Sequence, residues 1–254
     1  MNKAVQSLAG AIAHKLGSRR ANAEETIHPF DLAYHVDTSG LIWGEDLPSP
    51  HSNTVWSTAY YGIAPSIFHQ VIEKFEIRAA PDWSSFTFVD LGCGKGRALM
   101  LASRWPFRAI VGIEISPELV QITQRNLATF SAPWQQCYVL EVREGDAASV
   151  ALPSTPLVVY INNPFAAPAL ELFLTNLERS LQSESREAWI LYFTPMADKV
   201  FTRHPTFEPQ FATEIAMQEE DALADRFHSR REAVVVYRYA PRSSVESGRA
   251  AGNP

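Results

Sequence analysis

At 254 residues the chain has room for one α/β domain with an extension, or one domain and a small cap. Its 46% hydrophobic content is that of a globular protein with a sizeable core, and its net charge of −6 argues against a broad nonspecific nucleic-acid footprint, leaving at most a local basic patch. Cys93 and Cys137 are the only cysteines and make no C-x-x-C pair, so neither a disulfide framework nor a zinc site is implied, and a reducing compartment suits this usage. No apolar run approaches the roughly 18 residues of a membrane helix. The expectation is a cytoplasmic protein without a transmembrane segment.

The first 20 residues carry Lys3, Lys15, Arg19 and Arg20, with no acid before Glu24. Val5, Leu8, Ile12 and Leu16 recur there at helical spacing, which fits either a targeting segment or a short surface helix. Residues 1–27 are therefore set apart as a flexible or amphipathic segment. Residues 28–84 form a cap rich in aromatics, prolines and turn residues. Within it, Ile63, Ile67, Phe68, Val71, Ile72 and Phe75 mark an amphipathic helix. His35, Asp37, His51 and His69 show no metal-ligand spacing, so no metal site is expected, and His69 on the helix reads as structural.

Phe86 to Asp90 is a short apolar strand ending in an acid. Gly92, Gly94 and Gly96 follow as G-x-G-x-G, and a helix is expected over Arg97–Trp105, ending before Pro106. Strand, glycine turn and helix in this order build the first unit of a nucleotide-binding sheet. The glycines let the backbone turn sharply and let a ligand approach without a Cβ in the way. The second strand, Ala109–Glu114, ends in an acid 22 positions after Gly92, near the spacing at which a carboxylate accepts hydrogen bonds from ribose hydroxyls. A phosphate loop is excluded because G-x-x-x-x-G-K-[ST] is missing.

Pro117 opens the next helix at a favoured first-turn position, with Leu119, Ile122 and Leu127 on its buried face. Further strands are expected over Cys137–Val142, Leu157–Ile161 and Ala188–Phe193. Leu170, Phe173, Leu174, Leu177 and Leu181 mark a helix between the last two. Phe211–Met217 and Ala233–Tyr239 read as two later strands with no clear helix between them. The alternation predicts an α/β domain over residues 85–241, built on a Rossmann-like seven-stranded sheet. That sheet is mostly parallel, with an antiparallel closing strand, helices on both faces and the N-terminal helical cap. Residues 242–254 are rich in Ser, Gly, Arg and Pro and are expected to be a disordered tail.

Asp90-Leu91-Gly92-Cys93-Gly94-Lys95-Gly96-Arg97 resembles the first motif of class I S-adenosyl-L-methionine (SAM) methyltransferases. Ile110 to Val120 resembles their second motif, Glu144-Gly145-Asp146-Ala147 the third, and Tyr160-Ile161-Asn162-Asn163-Pro164-Phe165 the fourth. The resemblance covers about residues 86–240. It comes near bacterial methyltransferase-like proteins of unassigned substrate and near the non-SET protein lysine methyltransferases. It implies SAM as cofactor. It places Asp90, Gly92, Gly94, Gly96, Glu114, Ile115, Asp146, Ala147 and Asn162 around that cofactor, Asp90 toward its amino end and Asp146 toward its adenine.

The Asn163-Pro164-Phe165 turn is similar to the D/N-P-P-Y/F turn of amino-methyltransferases, with Asn163 in place of the first proline. The resemblance implies that this turn orients a substrate nitrogen. Tyr60, Tyr61, Pro65 and Ser66 are similar to text that lies over the methionine end of SAM in the lysine-methyltransferase relatives, so Tyr61 and Ser66 join the expected site. Core packing of the tyrosines is the competing reading. The expected function is methyl transfer to a nitrogen of a protein side chain or small molecule. A non-catalytic SAM-binding domain and a nicotinamide oxidoreductase are the alternatives, the latter disfavoured because G-x-G-x-G departs from G-x-G-x-x-G.

Overall fold

The structure, a computed structural model, describes residues 27–43, 46–47, 59–162, 166–224 and 230–241. The expectations for residues 1–26, for the tail from 242 on and for Asn163-Pro164-Phe165 lie outside the described residues.

Seven strands form one sheet: β1 (Thr87–Leu91), β2 (Ala109–Glu114), β3 (Leu140–Glu144), β4 (Leu157–Asn162), β5 (Ala188–Phe193), β6 (Phe207–Ala216) and β7 (Arg231–Tyr239). Their spatial order is β3-β2-β1-β4-β5-β7-β6. The first five neighbours pair in parallel, and β7 lies antiparallel to both β5 and β6. The winding reverses between β1 and β4. Such a switch point leaves a crevice beyond the carboxyl ends of the strands, which is where ligands bind in open α/β sheets.

Helices cover both faces: α1 (Pro29–Tyr34), α2 (Pro65–Ala79), α3 (Arg97–Ala102), α4 (Pro117–Thr129), α5 (Ala167–Ser183) and α6 (Glu219–Ala224). Side chains alternate along each strand. Phe88, Tyr160, Phe193 and Val236 belong to a core shared with Phe68 of α2 and Leu99 of α3. Val89, Val159, Ile190 and Tyr192 belong to the opposite core, filled by Leu170, Phe173 and Leu177 of α5. Burial on both faces explains why these strands read as continuous apolar runs.

The cap is held by side chains far apart in sequence. His28 caps α1 by accepting from the Phe30 N–H. Tyr34 accepts a hydrogen bond from Trp134 Nε1 at 2.7 Å, within a cluster that includes Phe130. A two-stranded antiparallel pair, Leu41–Ile42 with Tyr60–Tyr61, closes the cap.

The largest differences from the sequence reading are three boundaries and one helix, beside shifts of one or two residues at other strand ends. α3 stops at Ala102 and not at Trp105, because the Ser103 carbonyl is turned out to accept from the Gln136 and Cys137 N–H groups. The same contacts delay the start of β3 from Cys137 to Leu140. β6 begins at Phe207 and not at Phe211: its polar stretch and Pro209 hide an edge strand whose register shifts there, as edge strands tolerate. Finally, α6 stands between β6 and β7, where no helix was expected. It is short and offers no apolar stripe; Leu223 is exposed and its buried anchor is Asp221.

Candidate active site

The glycine turn after β1 has positive φ at Gly92, Gly94 and Gly96 (71°, 56° and 84°), a region that side-chain-bearing residues rarely adopt. A Cβ on Gly94 would lie 2.1 Å from Tyr60 Cδ2, so it is the cap's own tyrosine that occupies this space. The backbone of Gly94 is pinned on both sides. Its N–H donates to Glu114 Oε2 at 2.8 Å, and its carbonyl accepts from Thr123 Oγ1 at 2.6 Å.

Glu114, ending β2, is 5% exposed. Its other oxygen, Oε1, accepts from the Ser116 N–H at 2.9 Å. The Ile115 N–H also favours its charged form, and because a carboxylate offers about four lone-pair directions these backbone donors do not exhaust it. Burial pushes the Glu114 carboxyl above its usual range, and the backbone donors partly oppose that rise. Asp90, 2% exposed, is pushed well above its usual 3.8 by burial and then by the nearby Glu114 charge.

These acids line one cavity of about 1010 Å³, its open mouth included. Gly92, Gly94, Glu114 and Ile115 lie along it with Asp146, Ala147 and Asn162, each supplied by the carboxyl end of a strand or the loop that follows. Tyr61 joins them from the cap. Asp146 also accepts from the Ala148 N–H at 2.9 Å, which shapes its turn.

Two expected residues stand elsewhere. Gly96 caps α3 and faces Thr123. Ser66 is buried at the start of α2, where its N–H donates to Asp221 Oδ2 at 2.7 Å and its hydroxyl accepts from the Gln218 N–H at 3.1 Å. It ties the cap to α6 and does not line the cavity.

Sequence reasoning missed Lys95 and Arg97, and it left Tyr60 between core and site. Arg97, 5% exposed, donates to Thr38 Oγ1 (2.6 Å) and to the carbonyls of Thr38 (2.9 Å), Gly62 (3.2 Å) and Ile63 (3.3 Å). The buried Asp31 carboxylate lies 3.8 Å from it and accepts from the Thr38 N–H at 2.7 Å. Lys95 Nζ reaches Asp37 and the Ser39 carbonyl, each at 2.7 Å. The Tyr60 hydroxyl donates to the Thr38 carbonyl at 2.7 Å. The available signal was two cations within a glycine turn, where burial demands partners. Nothing in the sequence says where those partners come from. Among the described residues no cluster of His, Cys, Asp and Glu could hold a metal, and no helix is long and apolar enough to cross a membrane.

Residues 88–184, from β1 through α5, match the family described as a methyltransferase domain. Over this stretch the chain carries a methyltransferase domain, and the protein is an enzyme that uses SAM. A search of curated proteins found no match. Among solved structures the chain is similar to the glycopeptide N-methyltransferase MtfA (12% identity, 72% of this chain and 92% of that one, TM-score 0.49). It is similar also to SAM-dependent methyltransferases from Anabaena variabilis (12%, 68% and 85%, 0.45) and Methanosarcina mazei (11%, 61% and 93%, 0.45).

Arg97→Lys cannot serve the fork of acceptors that a guanidinium spans. It should destabilise the fold by about 3 kcal/mol, the scale of breaking a buried charged network, and be seen in urea unfolding. A wild-type midpoint would refute the role given to Arg97. Asp90 makes a pH-dependent contribution. Because its folded pKa is raised, the stability it gives is complete below 3.8 and is lost as pH rises through the folded value. Asp90→Asn lacks that loss, so ligand-free D90N should gain on the wild type in melting temperature as pH rises from 3.8 toward the raised folded value. An unchanging gap across that range would contradict a buried, proton-holding Asp90.

Proposed function

We propose that the enzyme methylates a nitrogen of a protein side chain or small molecule, with SAM lying across the carboxyl ends of β2, β1 and β4. The observation that carries the cofactor placement is Glu114. It is a buried carboxylate, braced by the Gly94 and Ser116 N–H groups, with capacity left toward the cavity. Ribose hydroxyls are the donors that suit it. Ile115, Leu119 and Ala147 supply apolar surface for a purine, and Asp146 stands beside them for an exocyclic amine. Asp90 at the deep end suits an ammonium group, whose arrival would favour the ionised carboxylate. The residues present therefore fit SAM along its whole length.

The cofactor supplies an electrophilic methyl on a sulfonium. What remains for the protein is to align the acceptor, exclude water and, where the acceptor arrives protonated, receive a proton. Asn162 brings an amide to the cavity at the end of β4, immediately before Asn163-Pro164-Phe165. An amide or backbone carbonyl there would accept from a substrate N–H and turn its lone pair toward the methyl. Phe165 would pack on the substrate. Tyr61, in the cap wall, offers an aromatic face to a cation. The likeness to lysine methyltransferases is weakened at one point, because Ser66 faces α6.

S-adenosylhomocysteine at about a hundred times its dissociation constant should stabilise the fold by roughly 2.7 kcal/mol and NAD should not, as read by thermal unfolding. Glu114→Ala should abolish that shift, since each lost charge-assisted bond is worth about 1.5–3 kcal/mol. A larger shift with NAD would overturn the cofactor placement. Label transferred from methyl-labelled SAM in cell extract should survive mild alkali, as N-methyl groups do. Label released as methanol would mark a carboxylate acceptor and overturn the nitrogen assignment.

A further inference from the structure

Tyr160 lies in the interior of β4, directly opposite Asp90 of β1 in the parallel register. Neighbouring strands place such partners side by side on the same face of the sheet. Both residues line the cavity and both are 2% exposed. The Tyr160 ring is fixed by Phe68, Phe88 and Phe193, with centroids 5.5, 5.9 and 4.8 Å away. Its hydroxyl is buried and makes no well-formed hydrogen bond among the described residues, its polar neighbour being the Asn162 side chain, which only partly opposes the rise in its pKa. A buried hydroxyl of this kind is unfavourable, and packing alone would be served by phenylalanine. The oxygen therefore needs a reason to be there.

The reason is the ligand that the neighbouring acid calls for. An ammonium group held at Asp90 belongs, in SAM, to an amino acid whose carboxylate is two bonds away. The geometry points to Tyr160 as the donor that holds this carboxylate, so that Asp90 and Tyr160 together grip the amino-acid end of the cofactor. This rests on the SAM placement given above. A tyrosine hydroxyl donates one hydrogen bond, and burial, followed by the nearby charges of Asp90 and Glu232, pushes its pKa up, so the O–H stays a donor. The division of labour is chemical: the carboxyl of Asp90 takes the cationic group, and the neutral hydroxyl takes the anionic one. Asp90 alone would attract any amine, whereas the pair selects an amino acid.

The test uses two ligands that differ only at that end. S-adenosylhomocysteine carries the amino acid, and 5′-methylthioadenosine keeps the adenosine and thioether without it. Calorimetric titration of the full chain should show Tyr160→Phe binding S-adenosylhomocysteine about tenfold more weakly, the effect of one hydrogen bond to a charged group, with methylthioadenosine affinity unchanged. Ligand-free Y160F should melt no lower than the wild type, since the oxygen removed makes no well-formed hydrogen bond in the fold. Equal weakening of both ligands, or unchanged binding of S-adenosylhomocysteine, would overturn the assignment of Tyr160 alone. Wild-type protein that binds neither ligand would overturn the cofactor placement and this inference with it.

Discussion

The buried guanidinium of Arg97 is the constraint on which the rest of the molecule is arranged. It enters from the first turn of α3, directly behind the glycine turn, and its acceptors all belong to the cap: the Thr38 hydroxyl and carbonyl, and the Gly62 and Ile63 carbonyls. Gly62 is part of the same requirement, since a Cβ there would sit 2.7 Å from Arg97 Cζ. A buried cation is tolerable only when fully partnered, so the cap cannot leave without a large desolvation penalty. Lys95 and Asn126 repeat the attachment one step away. The Asn126 amide donates to the carbonyls of both Asp37 and Lys95 and accepts from the Asp37 N–H. The cap and the turn are consequently one unit, and the cavity wall that carries Tyr60 and Tyr61 is positioned by the same residues that shape the turn.

That arrangement explains how two acids can be buried so close together. Both carboxyls are pushed upward by burial, and the Glu114 charge raises Asp90 further. Glu114 is compensated by backbone donors that also hold the glycine turn, so its charge is built into the fold. Asp90 has no such role in the turn and is the group whose protonation a cationic ligand would change. Stability given up in the ligand-free state is then recovered on binding, which is how a site can be both strained and selective.

Much of this was legible in the chain and some was not. The bounds of β2 and β5 agree with the sequence reading because each is an uninterrupted apolar run buried on both faces, and Glu114 was visible as the acid at the end of such a run. The Glu114, Asp146 and Asn162 positions meet in one cavity because strand ends in a parallel sheet converge. Tyr60 and Tyr61 were ambiguous between core and site for a physical reason: successive residues in a strand point to opposite sides, so Tyr60 packs on Gly94 while both border the cavity. Ser66 misled because its hydroxyl serves a contact 152 residues away, which no local pattern encodes. The helix α6 was hidden for the same reason, its anchor being an ion-pairing acid, Asp221, 3.4 Å from His28.

The central claim is that SAM occupies the crevice between the glycine turn and the cap. A crystal structure of the protein with S-adenosylhomocysteine addresses it directly. The account requires ribose hydroxyls on the Glu114 carboxylate, the amino-acid end over β1 and β4, and the Arg97 contacts with Thr38 intact. Ligand density elsewhere on the sheet, or a cap displaced to admit the ligand, would contradict it.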